Sequence, residues 1–424
     1  MTSEHLASAM AGAVADRLAR PDTVPTHLTE AIWWRQSLAH GAPGIALLHV
    51  ERAAAGLGPW ERAHDWLAYT ARAALTTGPD SHLFYGAPAL AHVLACAAAH
   101  RPGAYTRALA RLDHAIAVDT HNRVGDAHAR MDRGELPALA DFDVIRGLSG
   151  VGSLLLRRDP HGLALHAVLD YLVRLTEPVR GDGQALPGWW TTSSPSGRDS
   201  GQFPGGHGNT GVAHGIGGVL ALQALATRHG ITVDGQREAM GRICAWLDRW
   251  RTDTGAGPVW PYWVNLAHLR AGHHDTTDRQ PPSWCYGTAG LARAQQLAAM
   301  ATGDTHRQDF AERALVQALS GVVQRSTTTN ASLCHGYAGF AHIASIVAAD
   351  ASTDAAAALR ALTQDLLNAL QPADVDPAET AARLVRGDDG PGFLEGAAGI
   401  ALAVLAPSAA TRPQTGWDTC LLIT

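Results

Sequence analysis

A Gly-x-x-Gly turn that leads into an apolar helical stretch recurs seven times in this chain, and it constrains the fold more than any other feature. The first glycines of the seven copies are Gly41, Gly86, Gly147, Gly215, Gly287, Gly336 and Gly396. Their spacings are 45, 61, 68, 72, 49 and 60 residues, and Ala89 replaces the second glycine of the second copy. After each turn the apolar residues follow a helical rather than an alternating period, as in 45–55 and 291–299.

Amphipathic helix patterns alternate with these apolar stretches. They lie near 8–19, 60–76, 104–118, 162–176, 236–251, 307–324 and 354–371. A helix that is apolar on all sides must be buried, so each apolar helix needs an amphipathic partner outside it. The sequence therefore predicts an all-α fold, an (α/α)7 toroid of seven inner and seven outer helices forming one domain over 1–424, with essentially no strands. An open helical solenoid is the alternative, and the uneven spacing argues against its regular pitch.

The glycines of the turns have two expected uses. They permit positive φ, and they allow close backbone approach where the inner helices begin.

Composition and charge exclude several function classes. The net charge of −6 offers no basic surface for nucleic acid. All 33 basic residues are Arg, so lysine-based Schiff-base chemistry is excluded. The first 22 residues lack a continuous apolar signal region, and no run reaches the ~18 apolar residues of a membrane span. We therefore expect a cytoplasmic protein, in which five cysteines favour metal or catalytic use over a disulfide framework.

One position in the repeat changes its chemistry in copies five and six. Two residues before the first glycine the copies carry apolar side chains, except for Cys285 and Cys334. One residue before the glycine the side chain is polar in every copy, and in copy six it is His335. Two thiolates and an imidazole suit zinc with an open fourth position, provided that the ring closes and brings these turns together. The remaining cysteines, Cys96, Cys244 and Cys420, have no matched pattern and are expected to be small buried hydrophobes.

Copies three and four contribute a carboxylate and an imidazole. Asp143 lies four residues before Gly147, and His214 directly precedes Gly215. An imidazole beside an open zinc site could act as general acid or base, with a carboxylate fixing its tautomer. The alternative is that Asp143 is a helix N-cap and His214 a simple helix-entry residue, as His40 is in copy one.

The motifs GVAHGIGG, SWCYGTAG and LCHGYAGF, in that order, with DFDVIRGLSG upstream and GWDTCLLIT at the end, resemble the lanthionine synthetase C-like (LanC) cyclases over nearly the whole chain. The resemblance implies one zinc bound by Cys285, Cys334 and His335, with His214 and Asp143 acting at the same site. It also extends to Trp284 and Tyr286, which flank the first zinc ligand and are expected to take part in catalysis.

The sequence departs from the family pattern in two places. Relatives carry an Arg four residues before the first zinc cysteine, where this chain has Pro281, and the nearest candidate is Arg279. Some relatives insert a β-rich domain before the DVI motif, but the helical pattern of 101–142 leaves little room for one. Docking of the leader peptide is therefore expected to differ.

The implied reaction is intramolecular Michael addition of precursor-peptide Cys thiols to dehydroalanine or dehydrobutyrine, which forms (methyl)lanthionine thioether rings. The implied partners are a dehydrated precursor peptide, a dehydratase and a transporter, and the last two could place the protein at the inner membrane face. Two alternatives remain open: a zinc-stabilised, non-catalytic binder of dehydrated peptide whose fourth zinc ligand is His40 or His207, and intermolecular addition of a small thiol such as glutathione.

Overall fold

The structure is a computed structural model. It describes residues 2–72, 74–181, 183–194, 201, 203–274, 281–321, 327–328, 330–408 and 411–424.

Every inner helix predicted from the repeat begins at the residue after the first glycine of its copy. The helices are Ala42–Ala54, Ala87–Ala98, Leu148–Arg158, Ile216–Arg228, Thr288–Thr302, Tyr337–Asp350 and Ala397–Ser408. Most of their side chains are buried on every face, as their composition requires.

The glycines act mainly through close approach rather than through positive φ. Among the seven first glycines only Gly86 has positive φ, at 77°, so the expectation of positive φ is wrong for the other six. A Cβ at Gly147 would lie 2.2 Å from the amide nitrogen of Asp143, and one at Gly287 would lie 2.1 Å from that of Ser283. Because no side chain fits so close to backbone, the chain can fold back on itself only at glycine.

Outer helices form at the seven places that the amphipathic pattern predicts, but the third, predicted over 104–118, extends to Asp132. They are Ser3–Arg17, Trp60–Ala71, Thr106–Asp132, Leu163–Leu175, Gln236–Trp250, Thr305–Ser320 and Thr353–Leu370. Five inner helices pack against the outer helix that follows them in the chain, and the last inner helix packs against Ser3–Arg17. Four shorter helices complete the described α-helical structure: Thr26–Thr29, Leu139–Phe142, Leu266–Ala271 and Pro377–Arg386. Two 3-10 helices span Pro21–Thr23 and Trp417–Leu421.

The expectation of essentially no strands is wrong in detail. Within the described residues, six three-residue strands form three antiparallel pairs: Val179–Gly181 with Gln184–Leu186, Thr252–Thr254 with Gly257–Val259, and His207–Asn209 with Trp263–Asn265. The last pair joins segments far apart in the sequence, with Gly208 opposite Val264. Strands this short carry no readable alternation, so only tertiary pairing reveals them.

The chain divides into two compact units. The first contains 1–116 and 328–419, and the second contains 117–327 and 420–424. In the first unit Leu394 donates its amide to Ala39, and Cys334 donates to Leu394, which links the turns of copies one, six and seven. None of the helices in the described ranges combines the length and the apolar character that a membrane crossing needs. The prediction that 1–424 is a single domain stays a prediction.

Candidate functional site

The position four residues before the first glycine caps the turn. In copies one, five and six this position is Ser37, Ser283 and Ser332, and each hydroxyl accepts the amide N–H of the residue before the glycine at 3.1–3.2 Å. In copy three the same position is Asp143. The repeat therefore uses this side chain as an oxygen acceptor for the turn that starts an inner helix.

Asp143 performs this capping with one carboxylate oxygen and has the other available. Its Oδ1 accepts the amides of Arg146 and Gly147 at 2.6 and 2.7 Å. Its Oδ2 lies 2.7 Å from Nδ1 of His214. A serine has one side-chain oxygen, so only the aspartate caps its turn and also holds an imidazole.

The Asp143–His214 pair has the burial that a proton-transfer pair needs. The Asp143 side chain is 1% exposed, whereas that of His214 is 20% exposed. The carboxylate beside Nδ1 favours the tautomer with its proton on that nitrogen, so Nε2 is the atom that can exchange a proton with a substrate. The structure brings these two predicted residues into contact, while their joint role in catalysis stays a prediction, and Asp143 also caps its turn as the alternative interpretation expects.

Backbone hydrogen bonds join three turns of the second unit. Val144 donates its amide to the carbonyl of Ala213 at 3.0 Å, which connects the turn of Asp143 to that of His214. Val212 and Ala213 both donate to the carbonyl of Cys285, at 2.9 and 3.1 Å. A Cβ at Gly211 would lie 2.6 Å from that same carbonyl oxygen. Asp143, His214 and Cys285 are therefore held on adjoining turns.

The Cys285 thiol lies in a capped turn and is half-buried. Its Sγ donates to the Ser283 hydroxyl at 3.5 Å, and the same hydroxyl accepts the amides of Tyr286 and Gly287. This arrangement orients the sulfur without hiding it. A cysteine in such a position is available as a soft metal ligand.

Trp284 lies on the other side of the turn. It is 1% exposed, and its indole N–H donates to the carbonyl of Leu421 at 3.0 Å. Nearby, Arg293 is equally buried and donates Nε to the carbonyl of Ile423 at 2.7 Å. Burial of Trp284 fits a role in holding the cysteine turn, and its predicted part in catalysis stays a prediction.

Tyr286 belongs to an aromatic group next to His214. Its ring centroid lies 6.2 Å from that of His214, 4.8 Å from that of Tyr262 and 6.2 Å from that of Trp263. Its hydroxyl accepts a hydrogen bond from Nδ2 of Asn209 at 3.3 Å. Sequence reasoning missed Asn209, Tyr262 and Trp263, because they reach this place through the long-range strand pair 207–209 with 263–265.

Cys334 and His335 lie in the first unit, on the turn of copy six. Cys334 is 9% exposed, and its amide donates to the carbonyl of Leu394 at 2.8 Å. The amide of His335 donates to the Ser332 hydroxyl, as the amide of Tyr286 does to Ser283 in copy five. The two cysteine turns are thus built in the same way.

Three further predicted residues have different outcomes. Arg279 lies outside the described residues, so its predicted role stays a prediction. His207 is fully buried and stacks on Phe203 with ring centroids 4.0 Å apart, and burial lowers its pKa to about 4. His40 is exposed, with its ring 6.3 Å from that of Trp33.

The remaining cysteines behave as small hydrophobes. Cys96, Cys244 and Cys420 are buried, and burial raises the pKa of the Cys244 thiol to about 11. A thiol with so high a pKa is a poor nucleophile and a poor metal ligand at neutral pH.

The repeat, the all-helical fold and these turns define a lanthionine synthetase C-like protein. A sequence model of that family, described as "Lanthionine synthetase C-like protein", matches residues 32–422. The chain therefore belongs to this family.

Two known proteins are also similar to this chain. The chain is 25% identical over 214 residues to the nisin biosynthesis protein NisC of Lactococcus lactis subsp. lactis, a match covering 49% of each protein. The matched segment thus spans about half the length of this curated relative. The solved structure of a nisin cyclase superposes with a TM-score of 0.76 at 22% identity, covering 97% of this chain and 96% of that one. The likeness confirms the predicted fold class, an all-α toroid of the LanC type.

Proposed function

We propose that this protein is a zinc-dependent lanthipeptide cyclase, which adds Cys thiols of a dehydrated precursor peptide to dehydroalanine or dehydrobutyrine in the same peptide. The observation that carries the proposal is the Asp143–His214 pair, a buried carboxylate 2.7 Å from a partly exposed imidazole. Family membership supports the same reaction class, since a nisin biosynthesis protein and a nisin cyclase are among the relatives.

The donor set fits zinc. The proposed donors are the thiol of Cys285 in the second unit and the thiol of Cys334 and the imidazole of His335 in the first, the three residues that the repeat singles out. Two thiols and one imidazole are soft and borderline donors, which zinc prefers over the oxygen ligands of calcium or magnesium. Three protein ligands leave one tetrahedral position for a substrate. A bound zinc ion would lower the pKa of a coordinating substrate thiol, which is ordinarily about 8.5, so that the thiolate is available at neutral pH.

His214 and Asp143 then carry out the proton transfers of the addition. The sulfur forms a bond to the β-carbon of the dehydro residue, and the electron pair of the C=C bond moves to give an enolate. His214, as the imidazolium held by Asp143, donates the proton from Nε2 to the α-carbon and completes the thioether. The attacking thiol first gives its S–H proton to Nε2 of His214, or to solvent from which His214 is protonated, so the proton delivered to the α-carbon replaces the one lost from sulfur and the addition has no leaving group. Positioned acid–base catalysis of this kind contributes roughly 10²–10⁴-fold.

The aromatic residues beside His214 have a part in the same proposal. The ring of Tyr286, whose hydroxyl accepts a hydrogen bond from Asn209, lies beside the imidazole, and the ring of Tyr262 packs against Tyr286. Such surroundings exclude water from the enolate and strengthen the Asp143–His214 interaction. The substrate peptide, the dehydratase and transporter partners and a cytoplasmic location belong to this proposal as well.

A reconstituted reaction tests the proposal. The purified protein is incubated with its dehydrated precursor peptide, and remaining thiols are counted by alkylation and mass spectrometry. His214→Ala should retain its zinc and lose most ring formation, whereas Cys334→Ala should lose zinc and ring formation together. Cys96→Ala is the matched control for Cys334→Ala, since Cys96 is a buried cysteine of the same unit outside the donor set.

The outcomes separate the alternatives. Full ring formation by a zinc-free Cys334→Ala protein would end the zinc proposal. Loss of zinc in His40→Ala or His207→Leu would indicate a closed, non-catalytic metal site. Thiol adducts without rings, formed when glutathione is added, would favour the intermolecular reaction.

A further inference from the structure

Arg123 lies on the outer helix Thr106–Asp132 and reaches the backbone on both sides of Asp143. Its Nη2 donates to the carbonyl of Ala140 at 3.0 Å and to that of Arg146 at 2.7 Å. These carbonyls lie three residues before and three residues after Asp143. One guanidinium therefore clamps the segment that carries the carboxylate.

The surroundings of the Arg123 guanidinium disfavour its positive charge. Burial lowers the pKa of the Arg123 guanidinium, and the negative charges of Asp119 and Asp143 oppose this effect. Its Nη1 is buried without a hydrogen-bond partner in the described part of the chain. Arg123 is half-buried, and a buried guanidinium nitrogen without a partner lowers stability, so packing alone does not explain the presence of this arginine.

A second contact ties the same helix to the same segment. Arg130, two helical turns further along, forms an ion pair with Asp141. Through Arg130 the outer helix Thr106–Asp132 contacts the short helix Leu139–Phe142, which precedes Asp143. Through Arg123 it also contacts Arg146, which follows Asp143. The amide of Arg146 is in turn a donor to Asp143 Oδ1. The backbone N–H and the backbone C=O of Arg146 are therefore both hydrogen-bonded, the first to Asp143 and the second to Arg123.

We infer that Arg123 is a positioning residue for the Asp143–His214 pair: it fixes the backbone around Asp143 and places a positive charge beside the carboxylate that orients His214. The inference rests on the proposed function of that pair. Without Arg123, Oδ2 of Asp143 is free to move away from Nδ1 of His214, and the imidazole loses its preferred tautomer. A displacement of about 1 Å at such a distance from the chemistry is enough for a loss of roughly 10²-fold.

The test compares Arg123→Met and Arg123→Lys with the parent protein. Arg123→Met should lower kcat for ring formation by about 10²-fold with little change in KM, zinc content or thermal unfolding. Arg123→Lys keeps the positive charge, but an ammonium group cannot bond both carbonyls as the planar guanidinium does. Its rate should therefore lie between those of Arg123→Met and the parent protein. If Arg123→Met does not fold, Arg123→Lys is compared with the parent in the same assays.

The decisive readout is independent of turnover. In ¹H–¹⁵N spectra of histidine-labelled protein, the His214 ring, assigned with His214→Ala, should show the Nδ1–H tautomer in the parent. Arg123→Met should shift it towards a mixture of tautomers. Arg52→Met is the matched control, because Arg52 also has a pKa lowered by burial and donates to a loop carbonyl, that of Leu57. It should change neither the tautomer nor the rate.

The possible failures are distinguishable. An unchanged tautomer and rate in Arg123→Met, alongside a slow His214→Ala, would overturn the inference about Arg123 alone. Ring formation at the parental rate by His214→Ala would instead overturn the proposed function, whatever the spectra show.

Discussion

Replacing Asp143 with serine separates the two tasks of this side chain. Serine is the residue that the repeat itself uses at this position in copies one, five and six, where the hydroxyl caps the turn. In Asp143→Ser the hydroxyl can still accept the amide of Arg146, but no oxygen remains for Nδ1 of His214. We therefore expect a folded protein that keeps its full zinc content but in which His214 is a less effective proton donor.

The size of the effect follows from the contact that is lost. A hydrogen bond to a charged group contributes about 1.5–3 kcal/mol. If the Asp143–His214 contact acts fully in the transition state, each 1.36 kcal/mol corresponds to tenfold in rate. Ring formation should therefore slow by roughly 10- to 150-fold, which is less than complete removal of the imidazole.

The assay is the time course of thiol loss from the dehydrated peptide, measured together with zinc content and thermal unfolding. Asp143→Asn is a useful companion, because its amide also caps the turn but presents an N–H to Nδ1 and so favours the wrong tautomer. It should be slow as well. Parental rates in Asp143→Ser would refute the reasoning, and loss of zinc or of folding would assign Asp143 a structural task only.

Three further substitutions probe the surroundings of the site. His207→Leu should make the protein more resistant to acid. Burial lowers the pKa of His207 from 6.5 to about 4, so as the pH falls the unfolded state binds a proton on this histidine before the folded state does. The parent protein therefore loses up to about 3 kcal/mol of its free energy of unfolding between pH 6.5 and about pH 4, and the variant does not. Unfolding curves at pH 7 and pH 4.5 that shift equally in parent and variant would contradict this. Trp284→Phe removes the hydrogen bond to Leu421 and should weaken zinc binding, as seen in competition with a chelator, more than it lowers the melting temperature; unchanged zinc affinity would argue against a role for this contact. Gly211→Ala forces a Cβ within 2.6 Å of the Cys285 carbonyl and should cost about 1–3 kcal/mol in the free energy of unfolding, and a neutral result in denaturant titration would mean that the turns adjust freely.

Much of the fold could be predicted from the sequence because the same turn and apolar helix recur seven times. Each inner helix begins directly after a glycine, where any Cβ would collide with backbone, so residues close in the sequence determine where the helix starts. The amphipathic partners were recognisable for the same reason: a 3.6-residue period is a property of neighbouring residues. The reason given for the glycines was only half right, since close approach, not positive φ, requires six of the seven.

The candidate site was accessible in part. The altered positions of the repeat singled out Cys285, Cys334 and His335 and, in copies three and four, Asp143 and His214, for which the family resemblance implied the same site. The aromatic neighbours Tyr262 and Trp263 were not recognisable, because a three-residue strand has no periodic signature and its partner lies more than 50 residues away. Arg123 was equally hidden, since nothing in a helical pattern distinguishes an arginine that clamps a turn from one that faces water.

By itself, then, the sequence determined where the seven inner helices begin, roughly where the outer helices lie, and which kinds of side chain stand at the turns, because all of these depend on neighbours a few residues apart. Tertiary structure decided which of those side chains meet. It gave Asp143 a turn to cap and an imidazole to hold, and it brought Arg123 across to the same segment. Such contacts join residues that are distant in the chain, and they exist only once the helices have packed.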